Sequence, residues 1–121
     1  MAALRILVVE DEAVLGLLLA EVLVGMGYDV CAIESTEADA VSAAARCGPD
    51  LMIVDAWLGE GNGVSAVAQI QRAGAVPHLF VSGDTARVRA LRPDAVVLQK
   101  PFRERDLARA IEQTLGTALL A

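Results

Sequence analysis

The chain has 121 residues, ten Lys and Arg against sixteen Asp and Glu, and a formal net charge of −6, which fits one domain able to bury roughly two thirds of its unfolded surface without staples. The acidic balance and the lack of any clustered basic stretch exclude a binder of phosphate backbones, so nucleic acid is not expected as a direct partner. Cys31 and Cys47 form no CxxC and have no nearby His pair, so neither a zinc site nor a disulfide framework is indicated and reduced thiols are expected.

The opening residues Met1 to Arg5 carry a positive charge, but Glu10, Asp11 and Glu12 cut the apolar run that follows far short of a signal h-region. Arg5 to Glu10, with Ile6, Leu7, Val8 and Val9 inside, predicts a buried strand, and Glu12 to Met26 has helical apolar spacing that ends before Gly27. Its apolar part, Ala13 to Val24, is interrupted by Glu21 and falls short of the about 20 residues that span a bilayer. A soluble cytoplasmic protein is expected, without a membrane partner. Tyr28 to Ile33 predicts a second strand, Ser35 an N-cap, and Glu37 to Arg46 a second helix stopped by Gly48-Pro49.

Leu51 to Asp55 is a third strand, apolar on both faces and ending on a carboxylate. A loop with Gly59, Gly61 and Gly63 follows. Asn62 then caps a helix to about Ala73, with Val64, Val67, Ala68, Ile70 and Gln71 facing in and Gly74 as its stop. Leu79 to Ser82, Thr85 to Leu91, Ala95 to Gln99 and Arg103 to Leu115 complete the series as strand, short helix, strand and helix. Five strand-helix steps without an internal repeat or linker predict an α/β domain, one five-stranded parallel sheet with helices on both faces.

Ligands of such sheets bind beyond the carboxyl ends of the strands, at the switch point. Glu10, Asp11, Asp55, Ser82 and Lys100 all stand just past strand ends. Singly, each is explained by a solvated first turn, a turn hydroxyl or a surface charge. Together they make a crevice with three carboxylates, a hydroxyl and an ammonium. Carboxylates so placed repel unless a cation joins them, and hard oxygen ligands suit Mg²⁺.

The segments Val9-Glu10-Asp11-Glu12, Val54-Asp55, Val81-Ser82-Gly83 and Gln99-Lys100-Pro101-Phe102, in this order and spacing, resemble the receiver domain of two-component response regulators. The likeness runs from Arg5 to Leu115, and implies a flavodoxin-like (βα)5 fold over residues 1–121 with its core in 5–115. It further implies that Asp55 is the phosphoacceptor and that Glu10, Asp11, Asp55 and the backbone carbonyl of Trp57 hold Mg²⁺. Ser82 resembles the hydroxyl that moves to the phosphoryl group, and Lys100 its cationic partner. The expected function is that of a bacterial phosphorelay protein, phosphorylated by a histidine kinase or phosphotransfer protein and switching contacts with a downstream target. It would be a self-modifying phosphoacceptor rather than a metabolic enzyme. Pro77-His78-Leu79-Phe80-Val81-Ser82-Gly83-Asp84 is similar to the fourth strand of stand-alone receivers with a Phe-Ala-Thr-Gly pattern, a receiver excised from a larger regulator or hybrid kinase being the alternative.

Departures from the family pattern bear on readout and lifetime. Val97 stands where the family has an aromatic switch residue, three before the lysine, and Gly59 where it commonly has proline. The signal is therefore expected to pass through Phe80 to Leu91. Trp57 and Asp84 are expected to limit attack by water on the phosphorylated state. On the first helix, Val14, Leu15, Leu18, Val22 and Met26 are expected to face the core, leaving Leu17, Leu19 and Val24 as extra apolar surface for docking or for a homodimer. His78 is expected to have a structural or surface role rather than one in phosphotransfer. Three rival classes share part of this pattern. A flavin carrier would need a glycine- and hydroxyl-rich phosphate loop where Glu10, Asp11 and Glu12 stand. A phosphatase would need a second acid just after Asp55. A receiver-like module that signals without phosphorylation would retain the fold.

Overall fold

A computed structural model describes residues 3–120, with side chains as far as residue 116; Met1, Ala2 and Ala121 of the expected domain lie outside them. The elements run β1 (Arg5–Val9), α1 (Ala13–Gly25), β2 (Asp29–Glu34), α2 (Glu37–Cys47), β3 (Leu51–Asp55), α3 (Gly63–Ala73), β4 (His78–Ser82), α4 (Thr85–Leu91), β5 (Val96–Gln99) and α5 (Glu104–Leu120). The strands form one parallel sheet in the order β2-β1-β3-β4-β5. The expected flavodoxin-like architecture is present. The chain leaves β1 first toward β2 and then returns to place β3 on the other side, so the switch point lies between β1 and β3.

Alternation along the strands divides the core. Leu7, Val9, Met52, Val54 and Phe80 pack with Ala40, Ala43, Val67, Ile70 and Val88 from α2, α3 and α4. Ile6, Val8, Ile53, Leu79 and Val81 pack with Leu23, Leu107 and Ile111 from α1 and α5. Every residue of β3 is buried, which is why its sequence shows no polar interruption before Asp55. Burying one such side chain is worth about 1.5–3 kcal/mol relative to leaving it exposed, so the central strand is fixed firmly enough to aim the carboxylate at its end.

Several sequence expectations are corrected. The N-cap of α2 is Thr36, whose side chain accepts from the Asp39 amide at 3.1 Å, rather than Ser35. Ala68 points out and Ala66 takes its inward place on α3. On α1, Val14, Leu15 and Leu18 are exposed, at 69%, 42% and 52%. Leu23 is fully buried there, and Leu19, Val22 and Met26 pack against the core, so Leu19 belongs to the inward face. A helix apolar nearly all round gives its sequence pattern no phase. Cys31 and Cys47 are paired in a disulfide, their Cα atoms 6.2 Å apart, instead of remaining thiols. The packing of α2 on the sheet brings them together, and no local spacing signals that packing.

Two positions show what the packing demands. A Cβ on Gly63 would stand 2.0 Å from the Asp55 carbonyl oxygen and 2.6 Å from Val54 Cγ1. At the opposite edge, His78 Nδ1–H donates to the Val76 carbonyl at 2.9 Å and Nε2 accepts from Arg92 at 3.1 Å, while the ring meets the Phe80 ring edge-on at 5.5 Å. Burial, and less strongly the Arg92 charge, lowers the His78 pKa from 6.5 despite the Val76 bond. The structural role expected of His78 agrees with these contacts.

Gly63→Ala is expected to destabilise the fold by about 1–3 kcal/mol in urea denaturation, and a variant as stable as the parent would show that the helix start yields. For His78 the unfolded chain takes up a proton before the folded one. Stability should therefore fall as pH drops through 6.5 toward the lowered folded-state value, and His78→Gln should flatten that part of a pH series of melting temperatures.

Candidate functional site

The switch point gathers the acids. Glu10 follows β1 and is buried, its amide still bonded to the Glu34 carbonyl at 2.9 Å. Asp55 ends β3, Ser82 ends β4, and the Lys100 amide donates to the Ser82 carbonyl at 2.9 Å just past β5. The Lys100–Pro101 peptide bond is cis. The ladder thus sets each side chain at the same edge of the sheet.

Lys100 Nζ lies 2.8 Å from Asp55 Oδ2 and 3.3 Å from each oxygen of Glu10. Asp55 Oδ1 accepts from the Trp57 amide at 3.1 Å, and Asp11 Oδ2 from the Gly59 amide at 3.0 Å. Burial raises the Glu10 pKa to about 7, helped by the hydrogen bond and charge of Asp55 and opposed by Lys100. Burial also works against the Lys100 ammonium, but the Asp55 bond and the charges of Asp55 and Glu10 outweigh it and raise its pKa above 10.5. These shifts mark a site in which negative charge exceeds positive.

Glu10, Asp11 and Asp55 each offer an oxygen, all within 4.8 Å of one another. That spacing and the all-oxygen donor set fit a hard divalent cation. Of the expected residues, Glu10, Asp55 and Lys100 are in direct contact and Asp11 is close enough to share an ion. Ser82 stands on the adjacent strand, whose Val81 is the register partner of Asp55. Its hydroxyl oxygen accepts from the Asp84 amide at 3.0 Å, leaving the hydroxyl hydrogen to donate. Val97 is half-buried against the core, in register with Phe80.

The loop after Asp55 is tied on two sides. The Arg87 guanidinium of α4 lies 4.0 Å over the Trp57 ring, whose Nε1 is buried without a partner among the described residues. Asp84, expected only beside the chemistry, is also the N-cap of α4, accepting from the Arg87 amide at 3.1 Å. Glu37, the first residue of α2, holds the other side. Its carboxylate accepts from the Asn62 amide at 3.0 Å, from Ser65 Oγ at 2.6 Å and from Gln69 Nε2, and the Ser65 bond is the largest cause of its lowered pKa. Gly61, at φ +77°, passes so close that a Cβ there would lie 2.6 Å from Glu37 Oε1. Sequence reading missed Glu37, because an acid in a first helical turn is already explained by the helix dipole.

A family model described as the response regulator receiver domain matches residues 6–112. The chain is 28% identical over 119 residues to the chemotaxis protein CheY of Bacillus subtilis, spanning 93% of this chain and 98% of that one. It is 30% identical over 117 residues to the phyllosphere-induced regulator PhyR of Methylorubrum extorquens, spanning 93% of this chain but only 44% of that protein. With the transcriptional regulatory protein PdtaR of Mycobacterium tuberculosis the identity is 33% over 112 residues, spanning 55% of that protein. This chain thus spans about half the length of these last two relatives. Among solved structures, the PhyR response regulator REC domain of Erythrobacter litoralis superposes with a TM-score of 0.87 at 28% identity, over 96% of this chain and 92% of that one.

Because Glu37 anchors the loop that carries Trp57 and Gly59, Glu37→Gln should weaken divalent-cation binding several-fold while leaving the sheet intact. A titration followed by Trp57 fluorescence measures the first effect and far-UV circular dichroism checks the second; unchanged affinity would mean that the loop is ordered without this anchor.

Proposed function

Because the chain belongs to the response regulator receiver domain family, we propose that it takes a phosphoryl group from a histidine kinase or histidine phosphotransfer protein onto Asp55. The observation that carries this reading is the 2.8 Å contact of Lys100 with Asp55 Oδ2 beside the buried Glu10. An Asp55 carboxylate oxygen attacks phosphorus, the P–N bond of the phosphohistidine breaks, and its electron pair stays on the imidazole. Glu10, Asp11, Asp55 and the Trp57 carbonyl would hold Mg²⁺, which when bound neutralises charge on the phosphoryl oxygens. Lys100 then turns a hydrogen from Asp55 to a phosphoryl oxygen, and the Ser82 hydroxyl donates from the next strand. Trp57 and Asp84 flank the acyl phosphate and limit the access of water, so autodephosphorylation is slow.

The acyl phosphate adds about −1.5 to −2 charge, and the segment from Ser82 through Asp84 into α4 carries the change outward, with Trp57 and Arg87 as a second connection. The exposed Val14, Leu15, Leu17, Leu18 and Val24 on α1 are the docking surface for the phosphodonor, with homodimerisation as the competing use. No helix among the described residues is long and apolar enough to cross a membrane, in keeping with action in the cytoplasm. A second reading follows from relatives of which this chain spans about half: here the receiver would control another segment or partner. One solved PhyR, from Bartonella quintana, is described as an anti-anti-sigma factor.

Incubation with acetyl phosphate and Mg²⁺ is expected to add one phosphoryl group by intact mass, and Asp55→Ala should abolish the adduct. An unmodified parent protein, or an adduct that persists in Asp55→Ala, would sink the reading and favour a module that signals without phosphorylation.

A further inference from the structure

Below the acidic crevice, between α1 and α5, lies a cavity of about 540 Å³, within the roughly 300–1,000 Å³ common for small-molecule sites. Its floor includes Ile53 and Val81, and its walls include Leu19, Phe102 and Leu107. Ile53 and Val81 are only 1% and 3% exposed, so the cavity reaches the sheet itself.

The mouth is charged. Glu10, Asp55 and Glu104 line it, against Lys100 as its cation. Lys100 is already engaged by Asp55 and Glu10. The Glu104 side chain makes neither a hydrogen bond nor an ion pair among the described residues. Carboxylate oxygens can accept several hydrogens each, so this mouth repels anions and favours a donor-bearing cation, while the space beneath it favours an apolar body.

We infer that the cavity between α1 and α5 binds a small apolar amine, with its alkyl or aryl group against the sheet and its ammonium among Glu10, Asp55 and Glu104. Two of those carboxylates belong to the set expected to hold Mg²⁺, and in that one respect the inference rests on the reading above. Amine and metal would then exclude each other, and the apolar amine would hold the protein in a form that cannot accept phosphate.

The test is a titration of 3-phenylpropylamine into the isotope-labelled chain without Mg²⁺, followed by amide resonances, with 3-phenylpropanol and 3-phenylpropionate in parallel. Saturable shifts are expected at Leu19, Phe102 and Leu107. The alcohol should bind at least about tenfold more weakly, as expected when a charge-assisted hydrogen bond is lost, and the carboxylate should not bind. Mg²⁺ at ten times its own Kd should weaken amine binding about tenfold. Glu104→Gln, an exposed change, should weaken the amine several-fold and leave Mg²⁺ affinity unchanged, and Leu19→Trp should fill the space. Equal binding of all three probes, shifts confined to Leu17 and Val24, indifference to Mg²⁺, or no saturable shift would each overturn the inference. A chain that bound the amine but took no phosphate from acetyl phosphate would instead overturn the phosphoacceptor reading alone.

Discussion

Bringing Glu10 and Asp55 into one buried crevice is the constraint on which this structure depends. Two carboxylates repel at that range in a medium less polar than water, and Lys100, 2.8 Å from one and 3.3 Å from the other, offsets only part of the excess. The crevice is therefore left wanting positive charge. A divalent ion and an ammonium ligand would be two different ways of supplying it. The rest of the chain sets the geometry: β1 and β3 part at the switch point, β5 delivers the ammonium, and both faces of the sheet are packed so that none of the three can retreat.

The strands and the crevice were legible in the sequence because their signals are local or topological. Uninterrupted apolar runs state burial on both faces, and a parallel sheet fixes which residues lie past its carboxyl ends. Glu10, Asp55, Ser82 and Lys100 follow from those two facts. The inward face of α1 was not legible. Leu15, Leu18 and Leu19 are chemically alike, and only the packing on Leu23 and the sheet decides which of them turns in. Glu37, Cys31 and Cys47 were hidden for another reason. Their partners lie on other elements, so their roles exist only after α2 has docked.

The same docking explains how the loop after Asp55 is kept in place although Gly59, four residues on, lends it no stiffness of its own. Order comes from outside the loop: Glu37 grips its far end, Gly59 donates to Asp11, and Arg87 covers Trp57. Arg87 also lies on α4, so the loop beside Asp55 and the helix after Ser82 touch directly. Val97 offers no ring to swing between positions. A stacked Trp57 and Arg87 would supply the coupling by a different route, one in which the indole moves with the backbone next to Asp55.

Glu37 and Gly61 also bear on how this sequence can change. The carboxylate occupies the volume that a side chain at position 61 would need, with the Glu37 Cβ itself 2.6 Å from the point where that Cβ would lie. Neither position can drift alone. A larger residue at 61 requires a smaller one at 37, and a smaller one at 37 leaves Asn62, Ser65 and Gln69 to find other partners. The start of α2 and the start of α3, separated in the chain by the rest of α2, β3 and the loop after it, are thereby bound into a single unit of variation.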